Sequence, residues 1–228
     1  MVKQYPFAAI IFDHDGTLID TETPDFEACQ ILFGECGLEL RLEHWAETVI
    51  GRMDGYDRLF GEVLAGPAGQ SLSYAKLWAR IKELWPQTLV NTRLMPGVET
   101  LLSQLRTEGY RLGVATAADQ GWVTRWLGKF DLLPYFEIIA SGDQVARNKP
   151  APDVYLRAAE LLEVPPQRCL VFEDSVAGVQ AAKAAGMTVV AVPSHLTRSL
   201  DFSRADASVP GLNQVSLNWI EQFGRNGF

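Results

Sequence analysis

Phe7-Ala8-Ala9-Ile10-Ile11-Phe12-Asp13-His14-Asp15-Gly16-Thr17-Leu18 is an apolar run that ends abruptly in acid. Residues 7–12 show neither alternation nor helical spacing, which predicts a short strand covered on both faces. Residues 110–115, 136–140, 169–172 and 188–192 have the same look. Helical faces lie between these runs. Pro96 and Gly97 open one, carrying Val98, Leu101, Leu102 and Leu105. Pro152 opens another, through Val154, Ala158, Leu161 and Leu162. An Ala-rich stretch from 176 to 185 stops at Gly186, a natural helix C′ residue. Strands alternating with helices predict an α/β fold with a parallel sheet and right-handed crossovers.

Residues 21–91 break this alternation. They carry amphipathic runs at 26–36, ending at Gly37, and at 42–50, 53–64 and 73–85, with Gly66-Pro67-Ala68-Gly69 as punctuation. The expected organisation is a core domain of residues 1–20 and 92–228 and an inserted all-helical cap domain of residues 21–91. Two crossings, near 19–23 and 91–96, join them, and paired crossings suit a hinged lid.

Composition narrows the partners. The 228 residues are 47% hydrophobic and 21% charged, with a formal net charge of −8. Nucleic acids and anionic lipids need clustered Lys and Arg, so neither is expected as a partner. Any anionic substrate must be captured by local positive charge or a metal ion. Cys29, Cys36 and Cys169 are odd in number and lack paired spacing. A disulfide framework or zinc site is not expected, and a cytoplasmic location is. The N-terminal apolar run is too short for an export signal or membrane span and is interrupted by Asp13.

Four segments carry candidate chemistry, each at the end of a predicted strand. Asp13 and Asp15 are two positions apart and point the same way if strand geometry continues. One can attack phosphorus while the other exchanges protons with the leaving and entering oxygens. A calcium loop is rejected, because the EF-hand pattern wants Gly sixth and Glu twelfth, whereas here Gly16 is fourth and Pro24 twelfth. A plain acidic turn is the bland alternative. Thr116, with Ala117 after it, offers a hydroxyl and backbone N–H groups to a phosphate, or simply a helix N-cap. Lys149 is held by Pro150 just before a helix, where it can neutralise phosphate charge; a solvated loop Lys is the default reading. Glu173 and Asp174 are adjacent carboxylates whose repulsion a hard divalent cation would offset, although Asp174 or Ser175 could serve as an N-cap. Taken jointly, these residues gather at the carboxyl ends of one parallel sheet, where such sheets bind ligands. The set fits phosphoryl transfer.

At these residues the sequence resembles the haloacid dehalogenase-like hydrolase superfamily. Asp13-His14-Asp15-Gly16-Thr17 looks like its first motif, Thr116 its second, Lys149 its third and Glu173-Asp174 its fourth. The helical insert is similar to the cap of its β-phosphoglucomutase and sugar-phosphatase branch. The resemblance implies a Rossmann-like doubly wound sheet ordered 3-2-1-4-5 and a bound Mg²⁺. It implies Asp13 as nucleophile and metal ligand, and Asp15 as general acid/base whose carbonyl also binds the metal. It implies that Thr116, the Ala117 N–H and Lys149 hold the phosphoryl group. It implies that Asp174 binds metal with Glu173 assisting; Gly51 and Arg52 match the cap's substrate loop, where Arg52 could grip a substrate's anionic or hydroxylated end or be a plain surface Arg.

Departures from the pattern narrow the activity. Asp15 argues against a dehalogenase. A β-phosphoglucomutase would carry His at the position of Asp25, and a Lys in the loop of residues 50–52; this chain has neither. His14, between the two acids, is expected to point away from them and to carry no chemistry. The expected function is a Mg²⁺-dependent phosphatase of a small phosphorylated metabolite such as a sugar phosphate. A phosphosugar mutase and a non-catalytic phospho-ligand sensor are the alternatives.

Overall fold

In a computed structural model, which describes residues 5–52 and 54–225, the run that opens the fold becomes β1 (Ala9–Phe12). All four of its residues are buried. Ile10 and Phe12 face one apolar core, and Ala9 and Ile11 face another on the opposite side. This two-sided burial is why the strand reads as a continuous hydrophobic run.

After β1 the chain forms β2 (Ile19–Asp20) and four helices: α1 (Glu22–Glu35), α2 (Leu42–Thr48), α3 (Gly55–Ala65) and α4 (Tyr74–Thr88). The expected third helical run starts at Met53, which lies outside the described residues. Helix α4 passes the expected stop at residue 85 and carries Pro86 in its last turn, where Leu84 and Thr88 stay buried. These helices enclose a separate apolar cluster that includes Phe26, Trp45, Leu59, Phe60, Leu77 and Ile81. The chain leaves them through β3 (Arg93–Leu94), which pairs antiparallel with β2, Ile19 opposite Leu94. Both crossings therefore lie side by side, fastened also by an Arg93–Asp20 ion pair of 3.2 Å.

The remaining elements alternate: α5 (Val98–Glu108), β4 (Arg111–Ala115), α6 (Gln120–Lys129), β5 (Ile138–Ala140), α7 (Asp153–Leu161), β6 (Cys169–Glu173), α8 (Val176–Ala184), β7 (Thr188–Ala191), β8 (Ala207–Ser208) and α9 (Leu217–Arg225). The sheet is parallel throughout, in the order β5-β4-β1-β6-β7-β8. Its first five strands follow the expected 3-2-1-4-5 order, and β8 adds a sixth at the edge. Phe12 aligns with Val114 on one side and with Phe172 on the other. The ends of β1, β4 and β6 are therefore flush, which brings Asp13, Thr116 and Glu173-Asp174 to one rim. Among the described residues, no helix is long and apolar enough to cross a membrane.

Candidate active site

A cavity of about 340 Å³ opens at this rim, between the strand ends and the helical insert. Its wall includes Asp13, Asp15, Thr116, Ala117, Lys149 and Asp174 from the sheet side. Gly51 and Arg52 line it from the insert. Of the sequence-predicted residues, only Glu173 is set behind the wall.

Lys149 is nearly sealed from solvent, and its Nζ lies 2.5 Å from Asp13 Oδ1, 2.6 Å from Glu173 Oε1 and 3.2 Å from the Ala115 carbonyl. The Lys149-Pro150 peptide is cis. One ammonium thus serves two carboxylates, with a third, Asp174, alongside. Burial and the charges of Glu173 and Asp15 push the Asp13 carboxyl up to about 7, against the pull of Lys149. Lys149 is itself buried, but Asp13 and Glu173 outweigh that and hold its ammonium above the ordinary lysine range. Both shifts are upward but favour opposite charge states: the lysine, with a surplus of partners, is kept charged, whereas each acid has only a share of one cation and its charge is disfavoured.

Oxygens of Asp13, Glu173 and Asp174 lie within 4.8 Å of one another. Asp174 is fully buried. Its Oδ1 accepts a 3.3 Å hydrogen bond from Thr17 Oγ1, and its Oδ2 has no partner among the described residues. Burial, followed by the charges of Asp13 and Glu173, raises the Asp174 carboxyl well above its ordinary value. Gly16, at φ +79°, turns the chain tightly over this group, and a Cβ there would strike the Asp174 carboxylate. An orphaned buried oxygen among hard, crowded carboxylates is the chemistry that a divalent cation with oxygen ligands satisfies, so the residues fit such an ion. Glu173 fits less directly. Its Oε1 accepts from Lys149 and Tyr155, and its Oε2 from the Ser175 amide and hydroxyl, so both oxygens are already in use.

Asp15 is held differently. Its Oδ1 accepts from Thr21 Oγ1 at 2.5 Å and from the Trp122 indole at 2.9 Å. The His14 Nδ1 lies 3.0 Å from the same oxygen, although neither His14 nitrogen is aligned as a hydrogen bond. This corrects the expectation that His14 points away: the turn at Gly16 breaks strand alternation and folds the ring back beside its neighbour. Burial works against ionisation of Asp15, but His14, Thr21 and Trp122 together hold its carboxyl down at about 2.

Thr116 is buried, and its Oγ1 accepts the Ala118 amide at 3.1 Å, curling the loop into a small nest. Asn148 fastens this loop to the lysine segment, donating to the Ala117 carbonyl at 2.9 Å and accepting the Lys149 amide at 2.9 Å. Gly51 presses against the first turn of α8, where a Cβ would approach Ser175 Oγ to 2.6 Å. Arg52 donates from Nε to Asp54 at 3.2 Å.

Sequence reasoning missed Thr21, Trp122, Asn148 and Tyr155 as site residues, and the trio in which Tyr56 and Trp85 both donate to Asp25 Oδ1. Burial raises the Asp25 carboxyl to about 6 despite these two donors. Glu22 shares the cavity wall. Burial and neighbouring acids, Asp15 foremost, raise its carboxyl well above normal, and its Oε2 is unpartnered among the described residues.

The chain is similar to known proteins along most of its length. The family described as Haloacid dehalogenase-like hydrolase matches residues 10–192. YhcW of Bacillus subtilis (strain 168) is 38% identical over 209 residues, covering 92% of this chain and 94% of that one. A phosphoglycolate phosphatase of Nitrosospira multiformis is 35% identical, over 92% and 95% of the two chains. The crystal structure of a CbbY mutant from Rhodobacter sphaeroides in complex with xylulose-(1,5)bisphosphate superposes with a TM-score of 0.76. It is 29% identical over 94% of this chain and 99% of that one. With a family match over most of its length and relatives of this identity and coverage, the chain belongs to the haloacid dehalogenase-like hydrolases.

Proposed function

We propose that this protein is a Mg²⁺-dependent phosphatase that hydrolyses a small phosphomonoester, of the sugar-phosphate kind, through a phospho-aspartate. The observation that carries the reading is the meeting of Asp13, Lys149 and Asp174 at one rim. The name of the phosphoglycolate phosphatase and the sugar bisphosphate bound by CbbY support the substrate class.

In this reading Asp13 is the nucleophile. Its Oδ1 is engaged by Lys149, which leaves Oδ2 to attack phosphorus in line with the departing oxygen. Lys149, the Thr116 hydroxyl and the Ala117 N–H hold the phosphoryl oxygens. Asp13, Asp174 and the Asp15 carbonyl would hold the cation, which when bound supplies charge neutralisation at those oxygens. Glu173, with both oxygens in use, serves by orienting Lys149. Asp15 gives a proton to the departing alkoxide as the O–P bond breaks. It then takes one from the water that attacks the phospho-aspartate, releasing phosphate and restoring Asp13. Its low-lying carboxyl suits the second step. The first needs Asp15 protonated, which an arriving phosphate dianion favours by like-charge repulsion.

The helical insert, residues 21–91, acts as the lid, with Gly51 and Arg52 facing the substrate's leaving group. The free, buried thiols of Cys29, Cys36 and Cys169 support a reducing, cytosolic setting. A phosphosugar mutase is disfavoured. Asp25 stands where a mutase has its His, and its Oδ1 is committed to Tyr56 and Trp85. The test is a phosphate-release screen over phosphorylated metabolites with Mg²⁺ or with EDTA. Metal-dependent release is expected. Isomerisation of a hexose 1-phosphate without free phosphate would refute the reading in favour of the mutase, and binding without turnover would refute it in favour of a sensor.

A further inference from the structure

Asp15 can serve as an acid/base only if one oxygen is fixed and the other is presented to the substrate. Its Oδ1 takes two donors, Thr21 and Trp122, while Oδ2 has no partner among the described residues. Thr21 lies only six residues from Asp15, just before α1, but Trp122 reaches in from the first turn of α6, 107 residues away. An indole N–H can only donate, so it prefers a carboxylate oxygen and fixes which oxygen it holds.

The ring is braced where it stands. Its own amide is capped by Asp119 at 2.9 Å. Trp126 meets it edge-on at 5.6 Å between centroids, and Trp85 of the helical insert lies 6.3 Å away on a tilted plane. Trp85 is fastened in turn to Asp25. A side chain locked by packing and aimed at one oxygen of a reacting acid is how a second layer of residues orients a first.

We infer that Trp122 is a positioning residue, which by holding Asp15 Oδ1 aims Oδ2 at the leaving-group oxygen and so sets the rate at which poor leaving groups depart. This inference rests on the phosphatase reading. Trp122 lines the cavity beside Asp15 but transfers no proton itself, because its one N–H is spent on Asp15 Oδ1. Losing its N–H leaves Thr21 as the one aligned donor to Asp15 Oδ1, with His14 Nδ1 3.0 Å away but not aligned as a hydrogen bond, so the carboxyl is freer to swing about that contact. Small misplacements of a reacting group cost up to on the order of 100-fold.

The test is the rate of phosphoryl transfer to the enzyme in a single turnover stopped with acid, for wild type and Trp122→Phe. One substrate is an alkyl phosphate that the wild type turns over, whose alkoxide must be protonated. The other is p-nitrophenyl phosphate, whose leaving group departs without a proton. The variant is expected to slow on the alkyl phosphate by about 10- to 100-fold and to lose much less on p-nitrophenyl phosphate. Equal losses on both substrates would make Trp122 merely structural and overturn the inference, as would no loss on either. Failure of the wild type to form a phosphoenzyme from any phosphomonoester would instead defeat the phosphatase reading. Should Trp122→Phe not fold, 3-benzothienylalanine at position 122, which keeps the shape and replaces N–H by sulfur, gives the same decision from the same pair of rates.

Discussion

Replacing Lys149 with Met removes one ammonium and keeps most of the stem's volume. In the native site that ammonium is 2.5 Å from Asp13, 2.6 Å from Glu173 and nearly closed to water. Its loss leaves three buried carboxyls with no cation among them. Breaking a buried pair from one side costs about 3–5 kcal/mol, because the remaining charge has neither water nor partner. The pH dependence follows from the same charges. Carboxyls pushed above their unfolded values bind protons in the folded state that the unfolded state has released. Stability therefore falls as pH rises from about 4 through the raised folded values. Lys149 opposes that fall in the wild type, so the deficit of Lys149→Met is small near pH 5 and reaches its full size near pH 8. Urea unfolding with EDTA at both pH values measures it, and Mg²⁺ should restore part of the loss by binding the folded state. Equal stability of the two proteins near pH 8, or a larger deficit near pH 5, would refute the reasoning.

Three further outcomes are expected. Gly178→Ala places a Cβ on the Glu173 carboxylate, which is pinned by Lys149, Tyr155 and Ser175. It should destabilise by about 1–3 kcal/mol and lower kcat, seen by thermal melts and steady-state assay, whereas the exposed Gly61→Ala, with open space at its Cβ, should do neither. Mg²⁺ affinity, measured by calorimetry in buffers of different ionisation enthalpy, should weaken as pH falls through about 7, with protons released on binding, because Asp13 is protonated below that value. Asp25→Asn should leave stability unchanged at about pH 4 and raise it near pH 8 by on the order of 1–3 kcal/mol, since the native carboxyl is raised to about 6 and its charge is disfavoured above that. Paired urea titrations decide this last outcome.

Much of this site was legible in the sequence because its ligands follow buried strands. An apolar run ending in Asp13, another ending before Thr116 and a third ending at Glu173 put three motifs on one rim once the sheet is parallel. The order of the strands was not legible in these runs and came only from the family resemblance. Other features left no local trace. β8 is two residues long with one side exposed, so it has no hydrophobic run to read. His14 was misjudged by extending strand alternation past Phe12, when Gly16 already bends the chain. Trp122 reads as one more apolar position on α6, and only the register of β1 with β4 brings its N–H to Asp15. Asp25, Tyr56 and Trp85 are spread over three helices of the insert, and their meeting depends on how those helices pack rather than on any spacing. The amphipathic run reads only to residue 85, and burial of Leu84 and Thr88 carries α4 past Pro86.

The central claim is that phosphate leaves the substrate by way of the side chain at position 13. Mixing the Mg²⁺-loaded enzyme with a substrate it turns over, quenching in acid within a turnover and mapping the phosphoryl group by peptide mass spectrometry tests it directly. The account predicts a phosphoryl group on the peptide bearing Asp13, and none in Asp13→Asn, which should fold normally and be inactive. Turnover by Asp13→Asn, or wild-type turnover with the label on another residue, would contradict it.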